Sequence, residues 1–166
     1  MSTPESPHTP ESDPIQANAY AWPTAALDPV DRMRALAAAL PHVALDETRF
    51  DVPFEHLWSF IADLEGNTPR FEGTVNALRI LSREGESIQL EARTPAGLWW
   101  AFDAVLRPGW CLMKSRFGQV GMAARPEGPD ACRFIHFEGS TRLGRLTRPY
   151  FAWNIRQDFR RLRALL

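Results

Sequence analysis

The chain has 166 residues, of which 45% are hydrophobic and 11% aromatic, so it can fold as one domain with a packed core. Its formal net charge of -1 argues against a general affinity for nucleic acid, and no apolar run of about 18 residues predicts a membrane span. The first residues lack the basic and then apolar order of a secretory signal, so we expect a cytoplasmic protein.

The N-terminal part of the chain divides into two predicted segments. Residues 1–22 are rich in proline and acidic residues and almost lack large apolar side chains, which predicts a disordered tail. Residues 23–44 are predicted to form a helical extension, because Asp28 can cap a helix and Pro29 occupies its first position. The apolar stripe of this helix consists of Val30, Met33, Ala37 and Leu40.

The main domain is predicted over residues 45–166 and begins with a strand in VALDETRFDV. A helix follows in PFEHLWSFIADLEG, where we expect Pro53 to open the helix and Gly66 to close it. The next segment, NTPRFEG, is predicted to be a short turn of helix or a loop. The residues that form the buried face of the helix, at the spacing i, i+3, i+4, i+7, are Phe54, Leu57, Trp58 and Ile61.

From Thr74 onward the apolar residues alternate with a period of two, which predicts a series of strands. The short links between them imply antiparallel neighbours. In LWWAFDAVLR the alternation turns Trp100 inward and Trp99 outward, where the N-terminal helix is a candidate cover for Trp99. A last amphipathic helix, RPYFAWNIRQDFRRLRALL, is predicted to cover the apolar face of the sheet. The strand segments are TVNALRILSR, SIQLEART, LWWAFDAVLR, WCLMKSRFG, QVGMAARP and ACRFIHFEGSTRL.

From about Phe50 to Leu166 the order of these elements resembles the START / Bet v allergen-like (SRPBCC) superfamily, and within it the polyketide cyclase/dehydrase-like group. The resemblance depends on a strand, the segment DVPFEHLWSFIADLEGNTPRFEGTV, a meander of strands and a long C-terminal helix. It implies an α+β helix-grip fold, in which a curved antiparallel sheet wraps around the C-terminal helix with a hydrophobic cavity between them. Residues before Asp46 lie outside this pattern.

The alternation also gives candidate residues for the lining of such a cavity. The alternative is that the same side chains fill one another as an ordinary core. A mostly apolar pocket with a few polar groups suits a lipid, a quinone, a steroid or a polyketide. The candidate ligand-binding residues are Trp58, Leu90, Leu98, Trp100, Phe102, Met113, Phe117, Met122, Phe134, Phe151, Ile155 and Phe159.

Ionisable residues interrupt an apolar strand in FIHFEGS, where His136 and Glu138 share one face. A histidine beside a carboxylate can transfer protons during enolisation, aldol closure or dehydration. Because Ile135 and Phe137 make the other face apolar as well, the direction of His136 stays open, and a hydrogen-bonded histidine at the sheet surface is the alternative. Arg70 is a third candidate catalytic residue, placed to hold an enolate at the cavity mouth or else to form a surface salt bridge.

Two functions of different classes follow from these patterns. The first is a cofactor-free bacterial enzyme of secondary metabolism, a cyclase or aromatase that shapes a polyketide-type intermediate in the cavity and moves protons on it. The second is a non-catalytic carrier or sensor of a lipid, quinone or similar apolar ligand. A third interpretation is a protein-interaction module that uses the arginine-rich last helix.

The sequence contains no glycine-rich phosphate loop, metal-ligand spacing or nucleophile elbow, so we expect neither a metal nor a cofactor. Cys111 and Cys132 are isolated in different predicted strands, which indicates ordinary buried thiols. The expected partner is therefore a hydrophobic small molecule, with no nucleic acid and no membrane span, and a homodimer is left open.

Overall fold

The computed structural model describes residues 27–140 and 144–166, so the tail predicted over residues 1–22 lies outside the described residues. None of the helices in the described part is long and apolar enough to cross a membrane. The helices are α1 (Pro29–Ala39), α2 (Phe54–Ala62), α3 (Leu64–Phe71) and α4 (Arg148–Leu165), with a short 3-10 helix, Gly144–Thr147, before α4. The strands are β1 (Val43–Phe50), β2 (Ala77–Glu84), β3 (Ser87–Arg93), β4 (Trp99–Arg107), β5 (Trp110–Lys114), β6 (Gly118–Pro126) and β7 (Cys132–Ser140).

All seven described strands belong to one antiparallel sheet, in the order β1-β7-β6-β5-β4-β3-β2. Strands β2 to β7 form a meander of hairpins, and β1 pairs with β7 to form the opposite edge. The tight turn between β4 and β5 requires glycine at Gly109, where φ is 73° and a Cβ would lie 2.8 Å from the carbonyl oxygen of Ala124. The antiparallel meander predicted from the alternation is thus confirmed.

Helix α4 lies against the inner face of the sheet, where it packs on β1 and β7. Ile155 and Phe159 are buried there because they lie on the apolar stripe of the helix. Phe159 meets Phe50 and Phe134 edge-on, with ring centroids 6.4 Å and 5.7 Å apart. The α+β helix-grip arrangement, a curved sheet around the C-terminal helix, is confirmed.

Helix α1 covers the outer face of the sheet, over β6 and β7. Asp28 caps it by accepting a hydrogen bond from the Asp31 amide at 3.0 Å, and Pro29 occupies its first turn, as predicted. This explains why β7 is apolar on both faces: one face meets α4 and the other meets α1. The outer core consists of Val30, Met33 and Ala37 of α1 with Trp110, Ala123, Ile135 and Phe137 of the sheet.

The proposed cover for Trp99 is wrong, because α1 lies over Trp110 instead. Trp99 is 41% exposed on the outer face of β4. The guanidinium carbon of Arg79 lies 4.5 Å from its ring centroid, so a cation–π contact partly covers it.

The helix predicted from Pro53 to Gly66 is interrupted at Asp63. The Asp63 carboxylate accepts a hydrogen bond from the Gly66 amide at 3.1 Å and so caps a new helix, α3. Gly66 therefore lies in the first turn of α3 rather than at a helix end. The NTPRFEG segment continues this helix to Phe71, with Pro69 inside it.

We expect Met33→Ala to lower the free energy of unfolding by about 2–5 kcal/mol, because it leaves a void in the outer core. Met33 is fully buried between α1 and the sheet. Arg34→Ala on the exposed side of α1 is the control, since it removes only surface ion pairs worth about 1 kcal/mol or less. Urea unfolding of both variants gives the comparison, and equal small losses would contradict the packing of α1 on the sheet.

Candidate functional site

A cavity of about 600 Å³ lies between the inner face of the sheet, the end of α3 and the first turns of α4. We call it the inner cavity. Its walls are mostly apolar, and the rings of Trp100 and Phe117 meet on one of them with centroids 5.0 Å apart. The apolar lining includes Leu78, Trp100, Phe102, Met113, Phe117 and Phe151.

A group of buried polar side chains, which we call the polar cluster, lies at one end of the inner cavity. Its members are Glu72, His136, Glu138, Asn154 and Asp158, and none is more than 5% exposed. Glu72 follows the last turn of α3, the alternation of β7 places His136 and Glu138 on the inner face, and a helical turn separates Asn154 from Asp158 on α4. Three distant segments thus place polar groups together inside an apolar core.

His136 is at the centre of the cluster. Its Nδ1 lies 3.1 Å from the carbonyl oxygen of Gly121, an atom that can only accept, so Nδ1 carries a hydrogen. Its Nε2 faces three carboxylates, at 3.0 Å from Glu138 Oε1, 3.2 Å from Glu72 Oε2 and 3.9 Å from Asp158 Oδ2. The direction of His136, which the alternation left open, is therefore toward α4 and the inner side of the sheet.

Asn154 connects the carboxylates from the side of α4. Its Nδ2 donates within hydrogen-bond distance of three of them, at 3.0 Å from Glu138 Oε1, 3.0 Å from Asp158 Oδ2 and 3.1 Å from Glu72 Oε1. Because Nδ2 only donates hydrogen bonds, its position between the carboxylates lowers the repulsion between them.

Three further donors bind the carboxylate oxygens of Asp158 and Glu72 that face away from His136. The Gly73 amide and Arg161 Nη1 donate to Asp158 Oδ1 at 2.9 Å and 2.8 Å. Thr74 Oγ1 donates to Glu72 Oε1 at 2.9 Å. Each of these carboxylates therefore has one oxygen held from outside and its second oxygen directed at His136.

Burial and mutual charge shift the pKa of every titratable member. Burial and the charge of Glu72 raise the pKa of Glu138 to about 7 and that of Asp158 to about 9. Burial also acts to raise the pKa of Glu72, but the hydrogen bond and positive charge of His136 outweigh it and lower that pKa to about 2. Burial opposes the charged form of His136, but Glu138 and Glu72 outweigh it and raise its pKa well above 6.5. Protons therefore offset part of the buried negative charge.

The cluster reaches the inner cavity through two of its members. Glu72 and Glu138 line the cavity, whereas His136, Asn154 and Asp158 are not among its lining residues. Thr68 also lines it, one helical turn before Glu72, and its hydroxyl is buried without a hydrogen-bond partner among the described residues. A ligand in the cavity can thus meet two carboxyl groups and an unsatisfied hydroxyl.

The cluster also has the donor types that divalent metals prefer. One donor atom each from Glu72, His136, Glu138 and Asp158 lies within 4.8 Å of all the others. The sequence contains no ligand spacing that predicts such a group, because the four residues come from the end of α3, from β7 and from α4.

Five of the predicted ligand-binding residues line the inner cavity: Trp100, Phe102, Met113, Phe117 and Phe151. Six others do not line the inner cavity and are buried in the packed core of the domain instead. These six are Trp58, Leu90, Met122, Phe134, Ile155 and Phe159. Leu98 is 59% exposed, because it precedes the first residue of β4 and the alternation of that strand does not apply to it.

Arg70 does not line the inner cavity. It lies on the exposed side of α3, where it donates to Asn67 Oδ1 at 2.7 Å and its guanidinium carbon lies 5.3 Å from the Phe60 ring centroid.

Burial raises the pKa of the Cys111 thiol to about 12 and that of Cys132 to about 11. The prediction of two ordinary buried thiols agrees with their free, buried state.

Sequence reasoning missed Glu72, Asn154 and Asp158. A signal for the last two was present, since they interrupt the apolar stripe of α4 at i and i+4 between Phe151 and Phe159. A polar pair on the buried face of a helix predicts a buried polar partner on the facing element. Glu72 carries no such signal, because it lies beyond the last turn of a short helix.

Taken together, the curved antiparallel sheet, the covering C-terminal helix and the inner cavity define a helix-grip fold, and the predicted fold is confirmed. Among solved structures, a START superfamily protein from Mycobacterium smegmatis has a TM-score of 0.59 at 15% identity, over 75% of this chain and 96% of that chain. The Zhui aromatase/cyclase from Streptomyces sp. R1128 has a TM-score of 0.54 at 14% identity, over 75% of this chain and 93% of that one.

A third similar structure is the di-domain ARO/CYC BexL from the BE-7585A biosynthetic pathway, with a TM-score of 0.54 at 12% identity. The match covers 81% of this chain but only 53% of BexL, about half of its length. No family model matches the sequence, and no curated protein does. At such identities the likeness concerns the fold.

Proposed function

We propose that the protein binds a hydrophobic small molecule in the inner cavity and promotes cyclisation and dehydration of a polyketide-type intermediate. The observation that carries this proposal is an apolar cavity of about 600 Å³ with two carboxyl groups on its wall. Volumes of about 300–1,000 Å³ with few polar groups are typical of small-molecule sites. The aromatase/cyclase names of two proteins that share the fold support the choice of reaction.

The reaction requires a group that takes and returns protons beside the ligand. In an aldol closure, a base removes a proton from the carbon next to one carbonyl, the new carbon–carbon bond forms at a second carbonyl, and the oxygen of that carbonyl takes up a proton. Dehydration then releases this oxygen as water. Glu138 and Glu72 line the cavity and are the carboxyl groups within reach of such a ligand.

The other two candidate catalytic residues have different places in this proposal. His136 lies behind Glu138 and holds Glu138 Oε1 at 3.0 Å, so its role is to position that carboxyl group. Arg70 is outside the cavity, and we assign no step to it. The folding of a flexible chain against rigid aromatic walls supplies the rest of the rate enhancement.

A non-catalytic carrier is the second candidate function. The observation that favours it is the extent to which the polar cluster is hydrogen-bonded within itself, which is also expected of a structural network. The ligand would then be a lipid, a quinone or a similar apolar molecule.

A competition experiment distinguishes the two ligand classes. We expect anthrone, a flat tricyclic ketone, to displace the fluorescent probe N-phenyl-1-naphthylamine at a concentration about tenfold lower than 1-dodecanol does, because stacking on aromatic rings adds to apolar burial. The relevant wall is the Trp100–Phe117 pair. Displacement by 1-dodecanol at the lower concentration would contradict the polyketide proposal and favour a lipid carrier.

A further inference from the structure

We propose that Glu72, His136, Glu138 and Asp158 form a binding site for one divalent transition-metal ion, such as Mn²⁺, Fe²⁺ or Zn²⁺, at the end of the inner cavity. This inference goes beyond the proposed function and does not depend on it. Four donor atoms from three separate segments already lie within 4.8 Å of one another, so only small side-chain movements would close them around an ion.

Two of the three distances from His136 Nε2 agree with the edges of a coordination shell, and the third, to Asp158, is longer, so that carboxylate would move inward to bind an ion. Ligands about 2.1 Å from an ion lie about 3.0 Å apart at a right angle and about 3.4 Å apart in a tetrahedron. His136 Nε2 lies 3.0 Å from Glu138 Oε1, 3.2 Å from Glu72 Oε2 and 3.9 Å from Asp158 Oδ2. An imidazole with three carboxylates is a donor set that suits these ions.

The Nε2 hydrogen of His136 bridges the three carboxylates less completely than an ion would. Nε2 of His136 can carry one hydrogen, yet three carboxylate oxygens face it. The Nδ1 hydrogen is used by the Gly121 carbonyl, so in the neutral ring the Nε2 lone pair points into the cluster. A histidine fixed in this way by a backbone carbonyl is typical of a metal ligand.

The hydrogen bonds that hold Glu72 and Asp158 also resemble those around metal ligands. Thr74 and Asn154 hold Glu72 Oε1, which leaves Oε2 for the centre of the cluster. Gly73 and Arg161 hold Asp158 Oδ1, whereas Oδ2 faces the centre of the cluster, where it accepts a hydrogen bond from Asn154 Nδ2. In metal sites, neighbouring groups commonly hydrogen-bond to the ligating carboxylates and so orient them.

A divalent ion would also take the place of the protons that offset the negative charge of the cluster. Three buried carboxylates face one histidine and the half-exposed Arg161, so the carboxylates are in excess when all are ionised. A divalent ion together with Arg161 would neutralise all three carboxylates and leave the imidazole neutral. Buried charge is costly unless it is compensated in this way.

An independent feature of the cavity indicates where a further ligand would lie. The Thr68 side chain is 1% exposed, lines the cavity one helical turn before Glu72, and its hydroxyl has no hydrogen-bond partner in the described part of the chain. A buried hydroxyl without a partner is costly, and a water or a ligand oxygen in the cavity would satisfy it. Glu72 and Glu138 border the same cavity, so the ion would have its open position on that side.

Metal titration of the whole chain tests this proposal. The protein is treated with a chelator, dialysed and titrated with Co²⁺ or Zn²⁺, with visible absorption and calorimetry as readouts. We expect uptake of one ion per chain with a raised unfolding temperature, since an ion that binds only the folded state stabilises it. Absence of saturable one-to-one uptake by the wild-type protein would overturn the proposal.

Matched variants locate the ion. His136→Gln and the isosteric Asp158→Asn are each expected to lower Co²⁺ affinity by about 100-fold, whereas Glu55→Gln, at an exposed position on α2, should leave it unchanged. Wild-type affinity in Asp158→Asn would overturn the assignment even if His136→Gln does not fold. Binding of N-phenyl-1-naphthylamine to the chelated protein is measured in parallel, so that loss of the metal site and loss of ligand binding are distinguished.

Discussion

Glu138→Gln is expected to lower turnover by about 10² to 10⁴ while ligand affinity changes by less than about threefold. Glutamine keeps the shape and hydrogen-bonding capacity of the side chain but cannot take up or release the proton that the reaction moves. Glu138 and Glu72 both line the inner cavity and contact His136, but the pKa of Glu138 is raised to about 7 and that of Glu72 is lowered to about 2, so Glu138 is the group that can take up and release a proton near neutral pH. The measurement is the product profile from a poly-β-ketone thioester, alongside a binding isotherm.

Glu55→Gln serves as the control for this experiment, because it removes an exposed carboxylate from α2 and does not change the lining of the cavity. Its product profile should equal that of the wild-type protein. If Glu138→Gln also gives unchanged products at unchanged affinity, the catalytic proposal is wrong and the carrier function is favoured.

The antiparallel sheet could be predicted because each strand follows a simple alternation. In β3 and β4, Ala92 pairs with Trp100 and Arg93 with Trp99, as expected when one face is apolar and the other polar. The order of elements then resembled a known fold closely enough to give the position of α4. The alternation does not report how far apart two layers lie, so it could not separate the residues of the cavity wall from those of the packed core.

The polar cluster depends on contacts that the sequence does not encode locally. Glu72 and His136 are far apart in the chain, and their 3.2 Å contact arises only when α3 packs against β2 and α4. The alternation of β7 could place His136 and Glu138 on one face, but Ile135 and Phe137 made both faces apolar. The position of α1 on the outer face resolves that ambiguity, and it lies outside the pattern of the resemblance.

The interruption of the predicted helix at Asp63 shows a different limit of prediction from the sequence. Phe54, Leu57 and Ile61 continue a helical pattern toward Gly66, so periodicity favours one long helix. The capping bond from the Gly66 amide to Asp63 competes with that continuation and starts α3 in a new direction. This new direction is what brings Glu72 to the cavity.

The central claim, that the inner cavity binds an apolar ligand, is tested most directly by filling it. Ala92 lines the cavity on β3, whereas Ala101 is exposed on the outer face of β4, so Ala92→Phe and Ala101→Phe add the same side chain inside and outside. Fluorescence titration with N-phenyl-1-naphthylamine is expected to show a loss of affinity greater than about tenfold for Ala92→Phe, and none for Ala101→Phe, with both proteins folded by circular dichroism. Equal affinity in Ala92→Phe and the wild-type protein would contradict the account.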